Sequence, residues 1–238
     1  MAAEMQAGSR CMNFYGDGIA YLRDLPVRGR FIVIEGPDGS GRSTQVEALT
    51  SRLESDGHAV LNTGLKRSEL VAKGILRAKQ STPLGNKTMT LMYAADLADQ
   101  IEHKIIPALE AGTIVVADRY IFTLMARSAV RGLGRKWLSS LFGFALVPDM
   151  VFYLDVTPSE LFYRAFQKYS ALDYYESGAD MGVSGDLYES FIIYQKRIAT
   201  QFRQMEKSYS MIRIDGNKTI EEVGAELQEK VGTFLGAL

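Results

Sequence analysis

The residues best placed to do chemistry cluster in one stretch, Phe31-Ile32-Val33-Ile34-Glu35-Gly36-Pro37-Asp38-Gly39-Ser40-Gly41-Arg42-Ser43-Thr44. Four apolar β-formers run into a glycine-rich turn, and an amphipathic run carrying Val46, Leu49 and Leu53 follows. The spacing is that of a phosphate-binding loop, G-x-x-x-x-G-K-[S/T], with Arg42 in the place of the lysine. Glycines let successive backbone N–H groups point inward and cradle phosphate oxygens. The helix that follows turns its positive end toward the same spot. Gly36, Pro37, Asp38, Gly39, Ser40, Gly41, Arg42, Ser43 and Thr44 are therefore candidate ATP ligands. A guanidinium is always charged and grips two oxygens through a fork, but it is bulkier than an ammonium. Arg42 is expected to reach the terminal phosphates, and Ser43 offers a hydroxyl to Mg²⁺.

Other candidates stand where apolar runs end. Asp118-Arg119-Tyr120 follows Ile114-Val115-Val116-Ala117. Asp118 is placed to hold Mg²⁺ with Ser43, directly or through water, and the fork of Arg119 suits a phosphate. A plainer reading makes them an ion pair capping the next helix. Asp38 projects over the phosphates toward an acceptor, where it can hold a sugar hydroxyl or a metal-bound water; as a loop aspartate it also simply favours a turn. Lys66 and Arg67 follow the second apolar run and suit a second phosphate group, or form a solvated basic turn. Tyr93 can stack on a base or pack in the core. Arg127 and Arg131 lie one turn apart, on a solvated face or with at least one toward the acceptor, for which Arg127 is the candidate. Arg42, Asp38 and Arg119 are the candidate catalytic residues. The segment Lys168 to Asp186 is long, polar and broken by glycine and serine, as a mobile lid would be. Arg164 and Lys168 flank it and are candidate donor-nucleotide ligands.

These residues need a scaffold that brings them to one edge. Strands are expected at 31–35, 59–62, 113–117, 150–155 and 211–214, each rich in Val, Ile, Leu or Phe, as strands covered on both faces tend to be. Helices are expected at 42–56, 68–79, 87–111, 119–131, 135–145, 158–168, 186–207 and 219–236. Asp56-Gly57 and Ala111-Gly112 read as helix stops, and Thr157-Pro158 as a cap with proline at the first helical position. Alternation of this kind predicts an α/β fold, a mostly parallel sheet wrapped by helices, with ligands at the carboxyl ends of its strands. Residues 1–30 read as an N-terminal arm on a single domain spanning 31–238.

Composition narrows the partners. The chain has 238 residues, net charge −1 and one cysteine, Cys11. No broad basic face recruits nucleic acid, so anions must be held by a few local cations. No intrachain disulfide is possible, which fits a reducing compartment. The longest apolar runs are too short to span a bilayer, and Met1 to Ala20 lacks a leader's basic start and apolar core. No membrane partner is expected, and the cytoplasm is the expected location.

The ordered set of motifs resembles the thymidylate kinase family of P-loop nucleoside monophosphate kinases. The matching pieces are Phe31 to Thr44, Tyr93-Ala94-Ala95-Asp96, Ile106 to Gly112, Asp118-Arg119-Tyr120 and Pro148 to Pro158. The resemblance implies a three-layer P-loop kinase fold with a five-stranded parallel sheet and short lid, a homodimer, Mg²⁺, and phosphoryl transfer from ATP to dTMP. It gives Arg119 the acceptor phosphate and Asp38 the acceptor sugar. The chain departs from the family in five places. Arg42 replaces the loop lysine. Leu97 stands where the family carries the arginine that reads the thymine edge. Arg127-Ser128 stands for a tyrosine–glutamine pair. Thr63-Gly64-Leu65-Lys66 stands for Thr-Arg-Glu-Pro, with Lys66 or Arg67 as the substitute cation. The lid has no evident arginine, and Lys168 is its nearest cation.

The expected reaction is in-line transfer of the γ-phosphoryl group of ATP to a nucleoside monophosphate, first of all dTMP. Alternatives are a P-loop kinase acting on another nucleotide, nucleoside or alcohol, with Glu35 or Asp38 as base, and a nucleotide-binding regulator without transfer.

Overall fold

A computed structural model describes residues 10–23, 25–81, 84–169, 175 and 177–236. Its centre is a five-stranded sheet of β3 (Arg30–Glu35), β4 (Val60–Gly64), β5 (Ile114–Asp118), β6 (Met150–Asp155) and β7 (Ile212–Asp215). The order is β4-β5-β3-β6-β7 and every pair is parallel. The five runs of Val, Ile, Leu and Phe thus form the strands expected of them. Register aligns Ile34 with Asp118 and Gly64 with Asp118, so the functional carboxyl ends finish side by side.

Alternation along the strands splits the core into two layers. Phe31, Val33, Val115, Ala117, Val151 and Tyr153 face one way, packing against α3 (Asn86–Gln100), α5 (Ile121–Val130) and α8 (Leu187–Glu206). Ile32, Ile34, Val116, Phe152, Leu154 and Ile214 face the other, against α1 (Arg42–Ser55) and α9 (Ile220–Gly236). Helix, sheet and helix make the three layers. Among the described residues no helix is long and apolar enough to cross a membrane.

Residues 10–23 and 25–29 lie on this body. β1 (Arg10–Cys11) pairs antiparallel with β2 (Pro26–Val27). The Asn13 carbonyl accepts from Val147 N–H at 2.8 Å, and Arg10 forms an ion pair with Asp149.

Three helices differ from the expected spans by more than two residues or are interrupted. α2 (Ala72–Ser81) starts four residues later than expected, because Ser68 Oγ takes the Leu70 and Val71 N–H groups into a turn. The expected helix 87–111 is interrupted after α3 by a wide turn at Ile101–Ile105 before α4 (Ile106–Glu110), whose Pro107 has no N–H to continue a regular ladder. The expected helix 135–145 ends as α6 (Arg135–Leu141), followed by a tighter turn, Phe142–Phe144. There Gly16 lies against Gly143; a Cβ on Gly16 would sit 2.8 Å from Gly143 Cα. Within the expected lid, α7 (Pro158–Tyr169) reaches Tyr169, and Asp186 caps α8 by accepting from Glu189 N–H at 2.7 Å. Residues 170–174 and 176 lie outside the described residues.

Candidate active site

The loop between β3 and α1 is built to present backbone. Gly39 and Gly41 have φ of 80° and 86°, the left-handed region that glycine enters without strain. Gly36 has no room for a side chain: a Cβ there would meet Ser40 Oγ at 2.8 Å and the Leu154 carbonyl at 3.0 Å. α1 begins at Gly41 with no side chain capping it and no acid in its first turn. Its first N–H groups and its dipole are thus directed at the loop's concave side.

Arg42 is buried and lies beneath that loop. Its Nε donates to Asp118 Oδ1 at 2.9 Å, and its Nη1 donates to the Gly36 and Pro37 carbonyls and, at 3.3 Å, to Ser40 Oγ. The arginine fork therefore braces the loop and the tip of β5 at once. Ser43 Oγ donates to the other Asp118 oxygen at 2.7 Å. Burial alone would raise the Asp118 carboxyl, but Arg42, Ser43 and Arg119 outweigh it and hold it low, hence ionised.

Arg119 sits at a φ of 75°, unusual for a residue with a Cβ. Its N–H bonds the Ile34 carbonyl at 3.0 Å, which fixes the turn after β5 against β3. From there its guanidinium meets Asp38, and Arg127 on α5 meets the other oxygen of the same carboxylate. Burial would raise the Asp38 carboxyl, but Arg119, Arg127 and Arg42 hold it far below the ordinary range. Burial, with the like charges of Arg42 and Arg127, pushes Arg119 down to about 10, against Asp38 and Asp118.

These groups line one cavity of about 230 Å³ with Lys66, Arg67 and Tyr93. Five cations face two carboxylates there, so the cavity selects anions. Arg67 turns its guanidinium to the Asn62 carbonyl and Oδ1, at 3.1 and 3.0 Å. Lys66 and Ser68 are set by Asp96, which accepts from their N–H groups at 2.8 and 3.0 Å. Gln100 donates to Asp96 at 2.9 Å and accepts from Thr63 at 2.7 Å. This buried chain, Thr63–Gln100–Asp96, positions the loop after β4.

A second, more apolar cavity of about 80 Å³ adjoins the first between α3, α5 and α8. Tyr93 and Arg127 line both. Met89, Leu124 and Tyr194 supply apolar wall, and Thr90 and Ser128 place two hydroxyls in it. Arg131 closes one side. It donates to Asp180 through Nε and Nη2 at 2.8 and 3.0 Å, to Tyr194 OH at 2.8 Å and to the Tyr175 carbonyl at 2.9 Å.

On the other flank of the loop, Arg164 donates to Glu160 at 2.8 Å and to the Gly216 carbonyl at 3.0 Å. Lys168 lies in α7, and its side chain is outside the described residues. Of the two carboxylates considered as a base, Asp38 is held by Arg119 and Arg127, and Glu35 is fully buried. It accepts from Tyr120 N–H at 2.8 Å, Thr123 N–H at 3.2 Å and Thr123 Oγ1 at 2.5 Å, capping α5 instead.

The arrangement can align two phosphate chains end to end over a basic floor. The sequence model of a family described as Thymidylate kinase matches residues 34–227. The chain belongs to the thymidylate kinase family. A protein named probable thymidylate kinase 2 from Saccharolobus solfataricus is 33% identical over 210 residues, 88% of this chain and 98% of that one. The thymidylate kinase of Halothermothrix orenii is 31% identical over 212 residues, 86% and 97%. A probable thymidylate kinase of Pyrococcus abyssi is 36% identical over 142 residues, 56% and 68%.

Within this family member, the departures acquire structural meaning. Leu97 is 3% exposed in the main core and does not line the apolar cavity. Arg127 and Ser128 do line it. Sequence reasoning missed the Asp96–Gln100–Thr63 chain and the Arg131–Asp180 pair. The i, i+4 spacing of Asp96 and Gln100 was the available signal for the first. Nothing local links Arg131 to Asp180, 49 residues away.

Proposed function

We infer that this chain transfers the γ-phosphoryl group of ATP to dTMP. The observation that carries the reading is the Arg119–Asp38–Arg127 cluster, which lines the phosphate-loop cavity and reaches the apolar cavity through Arg127. The loop of Gly36 to Thr44 holds the donor phosphates. The apolar cavity holds a base, with Tyr93 beside it. Asp38 and Arg127 face the sugar and phosphate between them, and Arg119 takes the acceptor phosphate, with Lys66 and Arg67 at the far rim.

An acceptor phosphate is already anionic near neutral pH, so no strong base is required. The chain's own task is to align two anions and to neutralise charge on the transferring group. Arg119 does that directly, and Arg42 does it from beneath, by bracing the loop and the tip of β5. Magnesium suits the donor set: Ser43 and Asp118 bring a hydroxyl and one carboxylate together, hard oxygens of the type that leave Mg²⁺ its waters and substrate phosphates. Bound there, it would neutralise phosphate charge. Glu35 is committed to α5, and Asp38 is held ionised, its carboxyl far below the ordinary range, by Arg119 and Arg127, which argues against either as the base of a kinase that activates a neutral alcohol.

A homodimer belongs to the same proposal. It is supported by Leu70, Leu76 and Leu91, which expose apolar surface on and just before α2 and on α3. A cytoplasmic location also belongs to it, supported by the lone cysteine. Sedimentation of the purified chain tests the dimer.

The decisive experiment measures ADP release with ATP, Mg²⁺ and a panel of dTMP, dUMP, UMP and CMP. dTMP should give the highest kcat/KM. A phosphorylated product from some other acceptor, with none from dTMP, would overturn the assignment. Slow ATP hydrolysis with no phosphorylated acceptor would favour a regulator.

A further inference from the structure

Residues 13–18 lie outside the family match, which begins at residue 34, and no step of the proposed transfer uses them. They are nevertheless tied down along their length. The Asn13 carbonyl accepts from Val147 N–H at 2.8 Å, and Tyr15 N–H donates to the Ala145 carbonyl at 3.0 Å. Gly16 and Gly18 N–H both donate to the Gly143 carbonyl, at 2.9 and 3.1 Å. This backbone seat carries one ring toward the body. Tyr15 meets Phe122 edge to face at 6.0 Å and Tyr209 edge to face at 5.1 Å, and Phe122 meets Tyr209 at 5.0 Å. The three rings close a triangle, and Phe122 is its fully buried corner. Phe122 lies in the first turn of α5, whose N-cap residue, Tyr120, makes no side-chain cap bond. Tyr120 OH donates instead to the Leu146 carbonyl at 3.1 Å, and Leu146 is bridged to Phe14 of the arm. Both aromatic residues that open α5 therefore lean on residues 14 and 15.

We propose that the N-terminal arm is a positioning element for the acceptor side, in which Tyr15 seats the first turn of α5 and so fixes where Arg119 and Arg127 stand. The inference rests on the proposed function and extends it to residues outside the family match. Arg119 directly precedes Tyr120, and Arg127 lies on α5 itself. Glu35 fixes the start of that helix by hydrogen bonds to Tyr120 and Thr123 N–H, and the Tyr15 ring fixes it by packing. The donor cradle has no such tie. Tyr15 packs in the layer of α3, α5 and α8, whereas α1 packs in the other layer with Ile32, Ile34 and α9. An acceptor binds only the fraction of chains whose site is formed, so its apparent affinity falls with that fraction when the seat loosens. The seat also demands close approach: a Cβ on Gly16 would sit 2.8 Å from Gly143 Cα.

Three variants of the full chain test this. Tyr15→Leu removes the ring, Gly16→Ala lifts the arm from Gly143 without altering any ring, and Tyr15→Phe keeps the ring. In assays with ATP and Mg²⁺, KM for dTMP should rise about 10-fold in the first two, or about 1.4 kcal/mol, the scale of two edge-to-face ring contacts. KM for ATP should stay as it was, and Tyr15→Phe should match the wild type. A merely structural role would lower Tm and leave KM for dTMP where it was, or move both KM values together. Thermal melts check that each variant is folded at the assay temperature, and Gly16→Ala carries the test if Tyr15→Leu is not. Amide hydrogen exchange of the ligand-free chain reads the seat itself: residues 121–130 should exchange about 10-fold faster in Tyr15→Leu and Gly16→Ala, and α1 no faster. An unchanged KM for dTMP in a folded variant, parallel rises in both KM values, or unchanged exchange over 121–130 overturns the inference. If the wild type makes no dTDP, the proposed function itself falls, and the exchange result alone decides the role of the arm.

Discussion

The proposed donor cradle and the proposed acceptor pocket solve the same problem with different materials. Around Gly36 to Thr44 the working surface is backbone: N–H groups at the start of α1, glycines at positive φ, and carbonyls braced from below by Arg42. Between α3, α5 and α8 the working surface is side chain: Tyr93, Thr90, Arg127, Ser128 and Arg131. A backbone site tolerates few changes of spacing, because each glycine answers a steric demand. A side-chain site can be rebuilt one residue at a time while its helices stay put. This chain departs from its family at Gly64 to Lys66, Leu97, Arg127 and Ser128 on the acceptor side, and in the donor loop only at Arg42.

The largest effects should come from the guanidiniums that bind the two regions together. Arg42→Ala or Arg119→Ala should lower turnover by at least ~10³, as arginine fingers do elsewhere. Steady-state assays with saturating ATP and dTMP read this. Near-normal turnover in either variant would mean that backbone alone neutralises the transferring group. Arg42→Lys divides the two roles of this residue: recovery of activity shows that charge suffices, and continued loss shows that the Nε link to Asp118 is needed.

The next effect should be confined to the acceptor pocket. Arg131→Ala leaves Asp180 without the partner that holds it at 2.8 and 3.0 Å, and it releases Tyr175 and Tyr194. KM for dTMP should rise about 10-fold, with stability down by about 1–3 kcal/mol, while KM for ATP stays as it was. Parallel increases in both KM values would show that the pocket wall and the cradle are mechanically one unit.

The sequence made the scaffold easier to read than the site it carries. Apolar runs such as Ile114 to Ala117 and Met150 to Leu154 announce buried parallel strands, and loop glycines announce the cradle. Asp118 and Arg119 were legible as strand-tip residues because the apolar run Ile114 to Ala117 ends at them. Arg42 was placed correctly in the chain but not in its bonding, since a fork that turns back onto Gly36 and Pro37 is a tertiary fact. Helix ends were misjudged where a side chain or a close backbone contact intervened, as at Ser68 and at Gly16 on Gly143. The hydroxyl pair Thr90–Ser128 spans 38 residues and carries no local pattern at all.

Asp38 belongs to both regions, and acid should expose it. Arg119 and Arg127 depress its carboxyl in the folded state, whereas an unfolded aspartate titrates near ~3.9. A depressed folded value adds stability above the unfolded value, and that stability is lost as pH falls below it. Urea melts at a series of pH values should therefore show the wild type losing stability below about pH 4, and Asp38→Asn losing less over the same range. Asp38 should contribute no limb to the activity profile near neutrality, because it stays ionised throughout. An activity limb near pH 6 that vanishes in Asp38→Asn would mean that its guanidinium partners do not hold it in solution.

The smallest effect tests whether the cradle is truly a backbone site. Arg164 is half-buried and bonds the Gly216 carbonyl at 3.0 Å, on the donor side and away from the apolar cavity. If loop N–H groups carry the donor phosphates, Arg164→Ala should raise KM for ATP by only about 3- to 10-fold, the scale of one charged hydrogen bond, and should leave KM for dTMP unchanged. A rise of ~10³ would move the main donor contact from the loop to a side chain. The division of labour between the two regions would then be wrong, because the donor site would be as open to residue-by-residue change as the acceptor pocket.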